Sequence, residues 1–125
     1  MNVIAQAIPT PADIPGVAHA TWAGQAQGLK QLSVWRQSMQ PGAATPAHSH
    51  DCDEVVLCLA GQGELHIDGR VQHFGANQTL ILPRNSQLQI SNTGALPMET
   101  LGVFGATPVN TFLPDGEVLP LPWSS

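Results

Sequence analysis

Apolar and polar positions alternate along most of this chain in short bursts, each closed by turn-forming residues. Leu32-Ser33-Val34-Trp35-Arg36-Gln37-Ser38-Met39 predicts a strand stopped by Pro41-Gly42. Glu54 to Ala60 is an apolar, β-branched run ending at Gly61-Gln62-Gly63. Glu64-Leu65-His66-Ile67 alternates with period two, Asp68-Gly69 signals a two-residue hairpin, and Val71 to Phe74 returns. Thr79 to Leu82 is closed by Pro83, Leu88 to Ser91 meets Asn92-Thr93-Gly94, and Met98 to Phe104 follows. Short strands at this spacing predict an all-β antiparallel sandwich or barrel over residues 30–107. Residues 1–29 show no sustained period and read as an irregular arm with room for one short strand. The 108–125 segment carries four prolines yet is apolar, ending Leu119-Pro120-Leu121-Pro122-Trp123. It is expected to pack on the barrel or on a partner subunit.

Composition narrows this picture. Twelve glycines, eleven prolines and only 10% charged residues argue against long helices. A hydrophobic content of 42% with a net charge of −5 argues against disorder. Four basic residues against nine acidic ones exclude a phosphate-binding surface, so no nucleic-acid partner is expected. The longest apolar run, Val55 to Ala60, is far short of a membrane span, and no membrane association is expected. The residues before Ala18-His19-Ala20 lack a basic segment and are broken by Pro9, Pro11 and Pro15, unlike a signal peptide. If Glu54 to Cys58 is strand, that leg extends about 13 Å, beyond disulfide reach of Cys52. Two free thiols in a cytoplasmic protein is the expectation.

One constellation carries chemistry. In His48-Ser49-His50 the two imidazoles leave the same face of a strand, about 7 Å apart at Cα. Asp51-Cys52-Asp53 is turn-like and can return Glu54 beside them. Two imidazoles and a carboxylate form a ligand set that leaves coordination positions open for water or substrate. The competing reading is that two histidines and an acid lie near a polar turn by chance.

The segment Gly42-(five)-His48-x-His50-(three)-Glu54-(six)-Gly61 resembles the first motif of the cupin superfamily at every defined position, with Pro41 and Gly63 in keeping. The second motif is partial: Asn77-(five)-Pro83-x-Asn85-(two)-Leu88-(three)-Asn92 carries asparagine twice where the family has glycine, and Leu88 where it has a histidine ligand. The resemblance covers roughly residues 30–105. It implies a double-stranded β-helix (jelly-roll) barrel and one divalent transition metal ion per chain (Fe, Mn, Ni or Zn) at His48, His50 and Glu54. It also implies a small-molecule ligand or substrate and a homodimer. Family activities include dioxygenase, isomerase and lyase chemistry alongside binding without turnover, so the resemblance names no reaction.

Leu88 leaves three arrangements open: His48, His50 and Glu54 hold the ion alone; another residue (Gln87, His73 or His66) completes the set; or the barrel binds an organic ligand without metal, as a binding or sensing module. Pocket candidates are Trp35, Met39, Leu88, Phe104 and Arg84, the last as a partner for a substrate carboxylate. Asp51 and Asp53 could support the imidazoles, Cys58 is expected inside the barrel, and Asn92 is expected to stabilise a turn.

Overall fold

The computed structural model describes residues 2–125 and is built almost wholly of strands. In chain order these are β1 (Thr10–Pro11), β2 (Val17–Ala23), β3 (Ser33–Met39), β4 (Ser49–His50), β5 (Glu54–Ala60) and β6 (Gln62–Ile67). They continue with β7 (Arg70–Gly75), β8 (Thr79–Leu82), β9 (Leu88–Asn92), β10 (Met98–Phe104) and β11 (Thr111–Phe112). A single 3-10 turn, Gln25–Gln27, interrupts them.

One sheet has the order β1-β2-β3-β10-β5-β8, all antiparallel. Opposite it lie β7-β6-β9 and the β11-β4 pair. Isolated bridges Ala44↔Ser91 and His48↔Leu88 join the two into one layer. The result is a jelly-roll sandwich, as the cupin-like motif implies. The arm contributes more than expected. Val17 to Ala23 forms a full strand beside β3, with Val17 and His19 inward, and a register shift at Thr21/Ala23 masks its period in the sequence.

The core lies between the sheets in two parts. Residues such as Met98, Leu82 and Cys58, each at most 2% exposed, fill one end. Trp35, Phe104, Cys52 and Val109 fill the other, and Leu121 and Trp123 of the tail pack against them. Alternation explains the division: in β10 the residues Met98, Thr100, Gly102 and Phe104 are buried, while Glu99, Leu101 and Val103 face out. Both cysteines are buried and free.

Turn chemistry is as the sequence requires. Asp68 (φ 48°) and Gly69 (φ 80°) both take the left-handed conformation of a tight hairpin. Asn77 and Asn85, standing where the motif has glycine, adopt φ of 69° and 67°, a region asparagine tolerates better than most residues. Asn92 donates from Nδ2 to the carbonyls of Met39 and Leu96, which ties the β9 end to β3 and to the following turn.

Gly63 is required by space. A Cβ there would collide with the Ser91 carbonyl oxygen and with Met98 Cε, and would lie 3.0 Å from the Phe74 ring. Gly63→Ala is therefore expected to destabilise the fold by about 2 kcal/mol through overpacking. Urea denaturation should show this as a lower midpoint at unchanged slope; an unchanged midpoint would show that the core can yield there.

Candidate functional site

The inward residues of β3, β5, β9 and β10, with the segment leading into β4, enclose a cavity of about 70 Å³. Its walls are apolar: Trp35, Met39, Val56, Leu88, Ile90 and Phe104. His48, His50, Glu54, Gln37, Thr45 and Thr100 supply the polar groups. Leu119, Leu121 and Trp123 of the tail complete the lining.

The short β4 strand aims the imidazoles. His48 Nδ1 lies 2.6 Å from the Pro46 carbonyl oxygen, and His50 Nδ1 lies 3.0 Å from that of Asn110. Carbonyl oxygens only accept, so each Nδ1 carries the proton and each Nε2 keeps a free lone pair. Thr111 Oγ1 stands 3.1 Å from the same His50 nitrogen. The two rings meet edge to face at 4.9 Å. Burial pushes both imidazoles below their ordinary range, His50 to about 4, with the neighbouring His48 adding to the effect. Both are neutral at pH 7.

Glu54 opens β5, after the bend at Asp51-Cys52, and the chain returns it to His50: Nε2 and Oε1 are 3.6 Å apart. Oε1 is buried without any hydrogen-bond partner. Burial raises the carboxyl to about 8. On the adjacent β10 a Cβ at Gly102 would stand in ordinary contact with Oε2, at 3.7 Å, and tight against the Phe104 ring, at 3.1 Å.

The residues His48, His50 and Glu54 all line the cavity, and His50 and Glu54 come within 3.6 Å. Among the described residues, however, no group of three or more His, Cys, Asp or Glu side chains is arranged to hold an ion. No extra donor joins them. Leu88 pairs backbone to backbone with His48 and turns its side chain into the cavity, which puts its neighbour Gln87 on the outer, exposed face by alternation. His73 is 79% exposed on β7, facing Glu64, and His66 also faces Glu64 at 3.1 Å.

Of the pocket candidates, Trp35, Met39, Leu88 and Phe104 line the cavity, whereas Arg84 does not. Arg84 lies in the exposed loop after β8, and its backbone N–H donates to Asp53 Oδ1. Asp51 accepts from Asn110 Nδ2, so neither aspartate supports an imidazole directly.

Two features escape a sequence reading. His19, on β2, stacks on Trp123 at 3.9 Å and meets Trp35 edge to face at 5.2 Å. Gln37 Nε2 donates to His19 Nδ1 (2.9 Å), which places the proton on Nε2 for donation to Thr21 Oγ1 (2.7 Å). Thr21 in turn donates to the Ser124 carbonyl at 2.6 Å. This chain of bonds fastens the tail over the cavity. The alternation Val17-His19-Thr21 was the available signal.

The buried groups imply a pH dependence for the metal-free protein. Glu54, raised from 4.5 to about 8, favours the fold below pH 4.5, and that contribution is lost as pH rises toward 8. His50 and His19, lowered from 6.5 to about 4, favour it above pH 6.5, and theirs is lost as pH falls toward 4. Chelator-treated protein should thus melt highest near about pH 6 and lose stability on both sides. Glu54→Gln should flatten the alkaline limb of a melting-temperature profile and leave the acid limb; an unaltered alkaline limb would assign it elsewhere.

Comparison with known proteins agrees with this architecture. A family model described as auxin binding protein matches residues 3–124. Auxin-binding protein 1 of Arabidopsis thaliana is 33% identical over 116 residues, 85% of this chain and 59% of that protein. Auxin-binding protein T92 of Nicotiana tabacum is 35% identical over 117 residues, covering 84% of this chain and 63% of its own. The chain thus spans 59% and 63% of the length of these two relatives. Among solved structures, a sugar phosphate isomerase of the cupin superfamily from Silicibacter pomeroyi superimposes with a TM-score of 0.69 at 25% identity, over 82% of this chain and 68% of that one. With its fold, its motif and nearly its whole length matched, the chain belongs to the auxin-binding protein family of the cupin superfamily.

Proposed function

We propose that this protein binds a small organic molecule in the cavity between its sheets, beside a divalent transition metal ion (Fe, Mn, Ni or Zn) held by His48, His50 and Glu54. The observation that carries this reading is Glu54 Oε1, buried and unpartnered 3.6 Å from a neutral His50 Nε2. A buried carboxylate needs a cation or a proton, and lone pairs on both Nε2 atoms suit a divalent ion better than a proton. When bound, such an ion supplies a Lewis acid for an oxygen of the ligand. The chain's own residues do the rest. Pro46 and Asn110 carbonyls hold the imidazoles in the metal-ready tautomer. Trp35, Phe104 and Leu88 offer apolar surface to the body of the ligand.

The size of the cavity limits what enters. About 70 Å³ is less than half the roughly 150 Å³ of a cavity known to take benzene. Relatives are named for binding auxin, and a ligand of benzene's size or larger would enter this chain only if Leu119 to Trp123 move outward. The working unit in this reading is a cytoplasmic pair of chains.

A second reading, a metal-independent binding or sensing module, is favoured by Leu88 at the place of a fourth donor and by the lack of an assembled three-donor group among the described residues. Metal analysis of protein purified without chelator, then titration with Zn, Mn, Ni and Fe, separates the two. We expect about one ion per chain, lost in His50→Ala and Glu54→Ala. No uptake of any of these metals removes the metal site. In a thermal-shift screen of small carboxylic acids, including indole-3-acetic acid, stabilisation should vanish in both His48→Ala and His50→Ala; stabilisation surviving both substitutions supports the second reading.

A further inference from the structure

Three of the five histidines are buried, and the other two, His66 and His73, share the outer face of one hairpin. Strands β6 and β7 pair antiparallel across the Asp68-Gly69 turn, with Glu64 opposite His73 and His66 opposite Val71. Along β6 the inward positions are Gly63, Leu65 and Ile67, so Glu64 and His66 point outward together. The register sets His73 on that same face. Glu64 is thus flanked by one histidine along its own strand and by another across the ladder. His66 Nε2 lies 3.1 Å from Glu64 Oε2, and His73 Nδ1 lies 3.7 Å from Glu64 Oε1. Each carboxylate oxygen has an imidazole nitrogen beside it, and among the described residues no lysine or arginine pairs with this acid.

We propose that Glu64, His66 and His73 form a surface site for one divalent transition metal ion, clipped across the β6–β7 hairpin and separate from the cavity. The separations suit a shared ion. Metal–nitrogen and metal–oxygen bonds of about 2.0–2.2 Å set neighbouring donors of a tetrahedral site about 3.4 Å apart, and the two observed contacts lie either side of that value. His66 and His73 are diagonal neighbours in the ladder, about 7–8 Å apart at the backbone, a span that long side chains bridge. A single exposed histidine–glutamate contact contributes little; what sets this group apart is that two of them share one carboxylate. Two imidazoles and a carboxylate select zinc, copper(II) or nickel(II) over magnesium and calcium, which prefer all-oxygen sets. The three donors do not enclose an ion as they stand. Closing them needs His73 to swing toward Glu64, and at 79% exposed its side chain has room to do so. The paired strands already fix the backbone of all three residues, so only side-chain freedom is lost. That loss makes this site weaker than the cavity site, and it fills second, at micromolar metal. Val71 and Ser91, the neighbours opposite His66 and Glu64, bring no strong donor, so water takes the remaining positions.

Isothermal titration of ZnCl2 into the untagged full chain tests this, with circular dichroism to check folding. Wild type is expected to take up one ion beyond that of the cavity. His50→Ala, which removes a cavity donor, should keep this further ion at unchanged affinity. His66→Ala and His73→Ala should each weaken it about 10-fold or more and leave the cavity ion in place. Excess MgCl2 should not displace it. If an alanine variant misfolds, NMR decides: in His50→Ala, substoichiometric Cu(II) should broaden the His66 and His73 ring signals before any others. First broadening elsewhere overturns the site. So does zinc binding that ignores both substitutions, or no zinc uptake by His50→Ala up to about 1 mM. Failure of the cavity reading looks different: wild type then takes up one ion instead of two, and loses it in His66→Ala and His73→Ala but not in His50→Ala.

Discussion

A carboxyl group without a hydrogen-bond partner, sealed between two β-sheets, is the constraint around which this molecule is arranged. Glu54 Oε1 lies in a wall of apolar side chains, and burial alone raises its proton affinity until it ionises only near pH 8. Such a group opposes folding unless a proton or a cation accompanies it. Beside it stand two imidazoles whose outer nitrogens are fixed by backbone carbonyls and whose inner nitrogens carry lone pairs. The rigid strands on either side make this placement durable. Glu54 is paired in register with Leu82 on β8 and with Phe104 on β10, so it cannot withdraw without breaking the sheet.

Around that group the sandwich has divided its interior. One end is ordinary core, filled by Met98, Leu82 and their neighbours. At the other the walls hold an aromatic cluster instead, with Trp35 in contact with Phe104, His19, His50 and Trp123. The hydrogen-bonded sequence Gln37, His19, Thr21 and Ser124 couples the cavity wall to the tail. Movement of Trp123 would therefore be felt at Gln37, and the reverse. Trp35 Nε1 and Trp123 Nε1 are both buried without an acceptor, so this end carries unmet hydrogen-bonding capacity as well as the unpaired acid.

Much of this was legible from residue order. Glu54 to Ala60 and Met98 to Phe104 form strands over the predicted spans, because alternation and flanking turns are local signals. The Asp68-Gly69 hairpin and the left-handed asparagines at 77 and 85 are local for the same reason. Less legible was β2, where a bulge at Thr21 interrupts the period and nothing nearby announces a partner strand. The spare ligands Gln87 and His73 failed on orientation, which depends on register against neighbouring strands rather than on distance along the chain.

The order of residues by itself determined the strand pattern, the turns, and the bringing together of His50 and Glu54, since a short bend between two strands leaves few other outcomes. Tertiary structure decided what those groups experience. Whether Glu54 is solvated or sealed, which nitrogen of each imidazole is free, and what stands in the missing donor's place all depend on elements remote in sequence. Asn110 fixes His50 from 60 residues away, and Leu88 meets His48 only because β9 is aligned with the segment before β4. Solvation and hydrogen-bond geometry are properties of the assembled sheets, and no window of sequence contains them.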